Sequence, residues 1–330
     1  MPTLSPSENY YRMLQGEVPE YIPKAGDMGF TGISALMPFP RDPSEPMKDL
    51  FGVPMSMEPN SGPIPTPGVF ILDDVRKWRD VIKRPAVLDE IDWEITSKKD
   101  MEARDPAVKV MGMGSIGNGY FQSLMAWMGF SNGLVACLEE PEEVKALLTF
   151  LLDMNMELSK NFIHYYKPDA FMFFDDIAHE RSPFVSEATF LEIFEPMWRL
   201  QTALYKEAGL PAEHHNCGKI EPFVDYIVQM GFNAMDPSQP TYNDLAGIKA
   251  RYNNKFGIVG GLENNGFVSW PETTEEEIRA EVRRVVNELA PGGGFAFIGS
   301  VLGPMGGEFN KARNDMMADE FEKIRYDFYK

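Results

Sequence analysis

The sequence predicts an α/β fold, a closed (β/α)8 barrel of the TIM type with an N-terminal extension and long loops, and three observations point to it. Short apolar runs alternate with helical periodicities from about residue 108 to residue 298, the pattern of a parallel sheet. The units follow one another without a composition break, so residues 1–330 read as a single domain. No Gly-x-Gly-x-x-Gly is read as opening a helix, which argues against an open dinucleotide-binding sheet, whereas an eight-stranded barrel fits the length with room for insertions.

The opening ten residues hold neither a basic nor an apolar segment, so no secretory signal is expected. Residues 38–68 are rich in Pro, Met and Gly and lack periodicity, a surface excursion of the kind that forms lids. Val108-Lys-Val-Met-Gly112 reads as a strand and 141–167 as a long helix. Asp169-Ala-Phe-Met-Phe-Phe174 is the next strand, ending in Asp175-Asp176. Residues 186–208 have helical spacing, opened by Ser186 and stopped by Gly209. A strand over 211–215 leads to a helix over 220–230, ended by Gly231. Phe232-Asn-Ala-Met235 is a strand ending at Asp236-Pro237, followed by a helix over 244–252. Phe256-Gly-Ile-Val-Gly260 is a strand, and 274–289 an amphipathic helix with Thr274 and Glu277 in capping-box register. Pro291-Gly-Gly-Gly294 then turns the chain into Phe295-Ala-Phe-Ile298.

Composition narrows the function. At 44% apolar and 25% charged residues the chain can bury a sizeable core. The longest apolar stretch, 146–154, is broken by Thr149 and Asp153 and is too short to span a bilayer, so no membrane role is expected. Two cysteines, Cys137 and Cys217, are too few for a disulfide framework and fit the reducing cytoplasm. A net charge of −19 with no Lys/Arg cluster would repel nucleic acid.

Asp175-Asp176, His214-His215-Asn-Cys217, Asp236, Glu263-Asn264 and Ser300 each follow an apolar strand run. A barrel gathers such positions on its C-terminal rim, where catalysis occurs. His215-x-Cys217 is the sharpest signal. On an extended segment residues i and i+2 share a face, so imidazole and thiolate can hold one metal ion, and zinc favours that pair. Asp236, at the next strand end, is the natural third ligand. His214 points to the opposite side. Cys137 reads as apolar packing, His164 as structural, and His179 as a substrate contact near Asp175-Asp176.

Glu213-His-His-Asn-Cys-Gly-Lys-Ile-Glu-Pro-Phe223 and Gly231-Phe-Asn-Ala-Met-Asp-Pro-Ser-Gln-Pro240 resemble the signature region of the uroporphyrinogen decarboxylase superfamily. The resemblance extends through Gly260-Gly-Leu-Glu263 and Gly292-Gly-Gly-Phe295, and back to Asp175-Asp176, covering roughly residues 105–300. It implies a β/α barrel. True decarboxylases of the family hold a polycarboxylate with an arginine-rich N-terminal segment, but Tyr21-Ile-Pro-Lys-Ala-Gly-Asp-Met-Gly-Phe30 has no arginine. The other branch is the cobamide-dependent methyltransferases, in which a His-x-Cys pair binds zinc. The opening Ser7-Glu-Asn-Tyr-Tyr-Arg-Met-Leu-Gln-Gly-Glu-Val-Pro-Glu-Tyr-Ile-Pro23 resembles bacterial members that demethylate methoxylated compounds. Members acting on thiols carry a third ligand cysteine late in the barrel, whereas Ile298-Gly-Ser-Val-Leu-Gly303 has none. Either zinc takes an oxygen ligand, Asp236 or Glu263, or the metal is lost; an oxygen ligand would make zinc a stronger Lewis acid toward oxygen.

The implied activity is zinc-dependent transfer of a methyl group from a methyl ether, an aromatic one, to Co(I) of a separate corrinoid protein. Asp175 or Asp176 would protonate or orient the leaving group. Met111, Met113, Tyr120, Phe121, Trp127, Phe173 and Phe174 are the candidates for an aryl pocket. The rivals are methylcorrinoid:thiol methyl transfer, decarboxylation, and a non-catalytic ligand-binding barrel. The partners expected are the corrinoid protein and a small-molecule methyl donor, with a homodimer left open.

Overall fold

Each strand of the main sheet is short and apolar and is followed by a chain segment that crosses back over the sheet, so successive strands lie parallel. The computed structural model describes residues 2–36, 46–58, 62–117, 119–301 and 307–329. Its strands are β1 (Gly29–Thr31), β2 (Met55–Glu58), β3 (Gly62–Pro65), β4 (Val110–Met113), β5 (Ala170–Phe174), β6 (Ala212–His215), β7 (Ala234–Ser238), β8 (Gly257–Gly260) and β9 (Phe295–Phe297). β2 and β3 form an antiparallel hairpin; the other seven form one parallel sheet in the order β1-β4-β5-β6-β7-β8-β9.

The expected eight-stranded barrel is therefore a curled sheet of seven strands among the described residues. The first strand is split by a turn. Residues 23–25 lie along β9, where Lys24 bridges Phe297 and Ala25 N–H donates to the Phe297 carbonyl at 2.9 Å. A turn at Asp27, whose carboxylate accepts from Lys24 N–H at 3.0 Å, then shifts the chain sideways without changing its direction, and β1 runs along β4 instead. One bridge is too short to count as an eighth strand.

Alternation along the strands divides the core in two. Inside the curl, Met111, Ala170, Ala234, Val259 and Ala296 pack with Tyr10, Met13 and Leu14. The last three come from the helix Pro6–Leu14, which starts with a Ser5/Glu8 capping box and Pro6. Ser7 Oγ accepts from Lys109 N–H just before β4, and the Tyr10 hydroxyl donates to Glu213 at 2.7 Å, so this helix plugs the N-terminal end of the curl. The C-terminal rim is left for chemistry. On the outer face a larger cluster joins Phe171, Phe173, Met235 and Phe295 to the covering helices, notably Leu147, Leu148 and Leu151 of Pro141–Tyr166.

Two expectations change here. Gly112-Met-Gly-Ser-Ile-Gly117 does run from the last two residues of β4 toward the helix Tyr120–Met128. That helix N-terminus is already occupied: Tyr120 and Phe121 N–H donate to Asp175 Oδ2 at 3.0 and 3.1 Å, and Gln122 N–H to Oδ1 at 3.1 Å. A Cβ on Gly119 would collide with the Asp175 side chain, so this glycine serves close approach and not phosphate binding. The 186–208 helix is also interrupted, by a π turn over Phe190–Phe194 beside Pro196, which has no N–H to give. The capping box at Thr274 and Glu277 is formed. Of the Pro-rich excursion, residues 38–45 and 59–61 lie outside the described residues; β2 and β3 belong to the part within them. No described helix is long and apolar enough to cross a membrane.

Candidate metal centre

β5, β6 and β7 are neighbours in the middle of the sheet, and their register sets Phe174, His215 and Asp236 side by side. Beyond the strand ends come Asp176 and Cys217. One donor atom from each of Asp176, His215 and Cys217 lies within 4.8 Å of the others. Cys217 Sγ is 3.9 Å and Asp176 Oδ1 4.0 Å from His215 Nε2. The other ring nitrogen, Nδ1, is held by the Asp236 carboxylate.

This geometry corrects the expected ligand set. Asp236 sits behind the imidazole, because its strand flanks β6 in register, and Asp176 supplies the oxygen in front. Glu263 is not among the grouped donors: its Oε1 is 3.5 Å from Gln239 Nε2, and its buried Oε2 has no protein partner among the described residues. Burial resists protonation of His215, yet the charge of Asp236 and the contacts with Cys217 and Asp176 hold its pKa well above the usual value. A carboxylate-backed imidazole, a thiol and a second carboxylate form a donor set that suits zinc, and three protein donors leave a position for substrate.

The loop carrying Cys217 is fixed from several sides. Cys217 N–H donates to Asp176 Oδ1 at 2.6 Å, and Gln122 Nε2 donates to Oδ2 at 2.9 Å. Gly218 N–H donates to Gln239 Oε1 at 2.7 Å, and Asn243 Nδ2 donates to the Gly218 carbonyl at 3.0 Å. Gly218 has φ +87°, and a Cβ there would strike the His179 backbone, so only glycine fits. Gln122, Gln239 and Asn243 were missed from sequence; uncharged amides in loops carry no distinguishing pattern.

Asp175 is fully buried and turned away from this cluster. Besides the three backbone donors it accepts from Trp198 Nε1 at 2.8 Å. Burial pushes its carboxyl up to about 7, with those donors opposing. Below His215 on the inner face, Glu213 is buried against Tyr10, and burial followed by the charge of Asp236 pushes it up to about 8. His214 faces outward, enclosed by Phe173, Trp198 and Phe232, and burial pushes it down to about 3. Cys137 is core, its thiol pushed up to about 12 by burial.

A cavity of about 1070 Å³ opens beside Asp176 and Cys217, walled by Met113, Phe121, Phe130 and Phe184 and covered by the β2–β3 hairpin. Of the expected pocket residues, Met113 and Phe121 line it. Phe174 lies against the His215 ring instead, at 4.9 Å between centroids. Met111 packs inside the curl. Tyr120, Trp127 and Phe173 are buried in the outer core, because helix and strand periodicity turns them there. The His179 ring engages Ser182 Oγ at 3.2 Å and Phe184, and does not line the cavity.

Residues 47–299 match the family profile of uroporphyrinogen decarboxylase (URO-D). The fold is similar to that of a methyltransferase from Methanosarcina mazei, with a TM-score of 0.66 over 97% of this chain and 99% of that one. Identity is 15%, so this likeness bears on the fold alone. No curated protein matches the sequence. The profile spans well over half of the residues and takes in the strands that carry Asp176, His215 and Cys217, and on that match the chain belongs to the uroporphyrinogen decarboxylase family.

Proposed function

We propose that this chain is a zinc-dependent methyltransferase that passes the methyl group of an aryl methyl ether to Co(I) of a separate corrinoid protein. The observation that carries this reading is the Asp236-backed His215 grouped with Cys217 and Asp176 at one end of a large apolar cavity. Asp176, His215 and Cys217 would hold the zinc, which when bound supplies Lewis acidity for the ether oxygen. Asp236 fixes the imidazole so that Nε2 faces the ion. Gln122 and the Cys217 N–H hold both oxygens of Asp176, which takes the ligand role first given to Asp236 or Glu263. Asp175 acts one layer back, by anchoring the helix that carries Phe121 and Gln122. Met113, Phe121 and Phe184 hold the aryl group and keep water from the oxygen. A carboxylate in place of a second thiolate makes the donor set harder, which favours an ether over thiol methylation.

The test pairs metal content with turnover. Wild-type protein should hold near-stoichiometric zinc, Cys217→Ala should lose it, and only the wild type should methylate a reduced corrinoid protein from methoxyarenes. Wild-type protein that stays metal-free after reloading would sink the proposal.

A further inference from the structure

The walls of the cavity say which donor it takes. Among its described lining residues there is no Lys, Arg or His, and the only carboxylates are Asp49 and Asp176. Neither has a role to offer an anion. Asp49 Oδ1 accepts from Phe51 and Val53 N–H at 2.9 and 2.8 Å, closing its own loop. Asp176 already receives Cys217 and Gln122 and belongs to the donor cluster. A carboxylate carried on the ring away from the metal end would lose its water and meet no basic side chain among the described lining residues, in a chain whose net charge is −19. Aromatic surface is plentiful by contrast: Phe121 stacks on Phe184 with centroids 5.4 Å apart and meets Phe130 edge-on at 6.0 Å.

We propose that the methyl donor is an uncharged methoxyarene, bound along Phe121, Phe130 and Phe184 with its methoxy group toward Cys217 and Asp176, and that ring-carboxylated methoxyarenes are rejected. The proposal rests on the methyl-transfer reading of the site and narrows it.

The experiment is calorimetric titration of zinc-loaded protein at neutral pH with a matched pair, veratrole and veratrate, which differ by one carboxylate. Veratrole should bind at least about tenfold more tightly, a gap of roughly 1.4 kcal/mol. Ala126→Trp, which adds bulk on the cavity wall, should abolish that binding while keeping zinc; Ser131→Trp replaces it where the first variant fails to fold. Equal or tighter binding of veratrate, binding of neither compound, or undiminished veratrole binding in the filled variant overturns the assignment. Methyl transfer to Co(I) is assayed separately. Selective veratrole binding without transfer upholds the pocket's preference and overturns the proposed reaction.

Discussion

In the proposed site His215 would be a directed ligand because Asp236 holds its Nδ1, and a histidine so held keeps one tautomer and one ring orientation. Asp176 and Asp236 therefore differ in kind, although both are carboxylates beside the same ring. Asp236→Asn should weaken zinc binding about 10- to 100-fold, the usual effect of disturbing a residue behind a ligand. Asp176→Asn should cost more, because it removes a charged donor. Competition with a chromophoric chelator measures both, and the reverse order would make Asp236 the ligand. His215 and Cys217 were legible in the sequence as an i, i+2 pair at a strand end; the structure brings them together although Cys217 lies past the end of β6, its loop held by Asp176 and Gln239. The third donor was not. Sequence indicates that β6 and β7 are neighbours, but whether a carboxylate stands before or behind an imidazole depends on strand register and twist. The residues holding the Cys217 loop, Gln239 and Asn243, were equally silent.

At the scale of elements, Asp175 shows a strand end serving a helix. Its carboxylate gathers Tyr120, Phe121 and Gln122 N–H and the Trp198 indole, so β5, the helix Tyr120–Met128 and the helix Glu195–Glu207 meet at one side chain. Asp175→Asn puts an amide NH2 against those donors and should cost about 2–4 kcal/mol of stability. Thermal melts and Trp198 fluorescence read the loss; intact stability with collapsed turnover would instead place Asp175 in the chemistry. Most strands between residues 108 and 298 were legible from apolar runs bounded by Gly, Pro and Asp. The helix Tyr120–Met128 was not, because Tyr-Phe-Gln-Ser-Leu-Met-Ala-Trp-Met is buried nearly all round and shows no polar stripe. β1 is only three residues long, below the length at which alternation becomes visible.

For the whole molecule, the question is what keeps a seven-stranded curl shut when, among the described residues, the seam along β9 is closed by the short segment 23–25 at Phe297. The answer lies at the far end of the chain. Arg325, directly after the helix Glu308–Ile324, is 2% exposed; its Nε donates to the Ile22 carbonyl, Nη2 to Asp27 and Nη1 to Glu322. Asp27 is the residue that turns the chain from β9 to β1, and its side chain is 5% exposed. Glu322 also binds Lys24 itself. One guanidinium thus ties both sides of the split first strand to the C-terminal helix, a geometry that a fork of five donors suits and a single ammonium does not. Arg325→Ala leaves Asp27 buried and uncompensated, which should cost about 3–5 kcal/mol. For a chain of this length that corresponds to a fall in Tm of about 4–7 °C, with Arg325→Lys in between. The proposed metal site is centred on β6, three places from either edge of the sheet, so zinc affinity well below the melting temperature should not change. Melting curves and zinc titrations on the same samples separate the two effects: an unchanged Tm would mean that the seam is held elsewhere, and a parallel loss of zinc would mean that the seam and the site are coupled through the sheet.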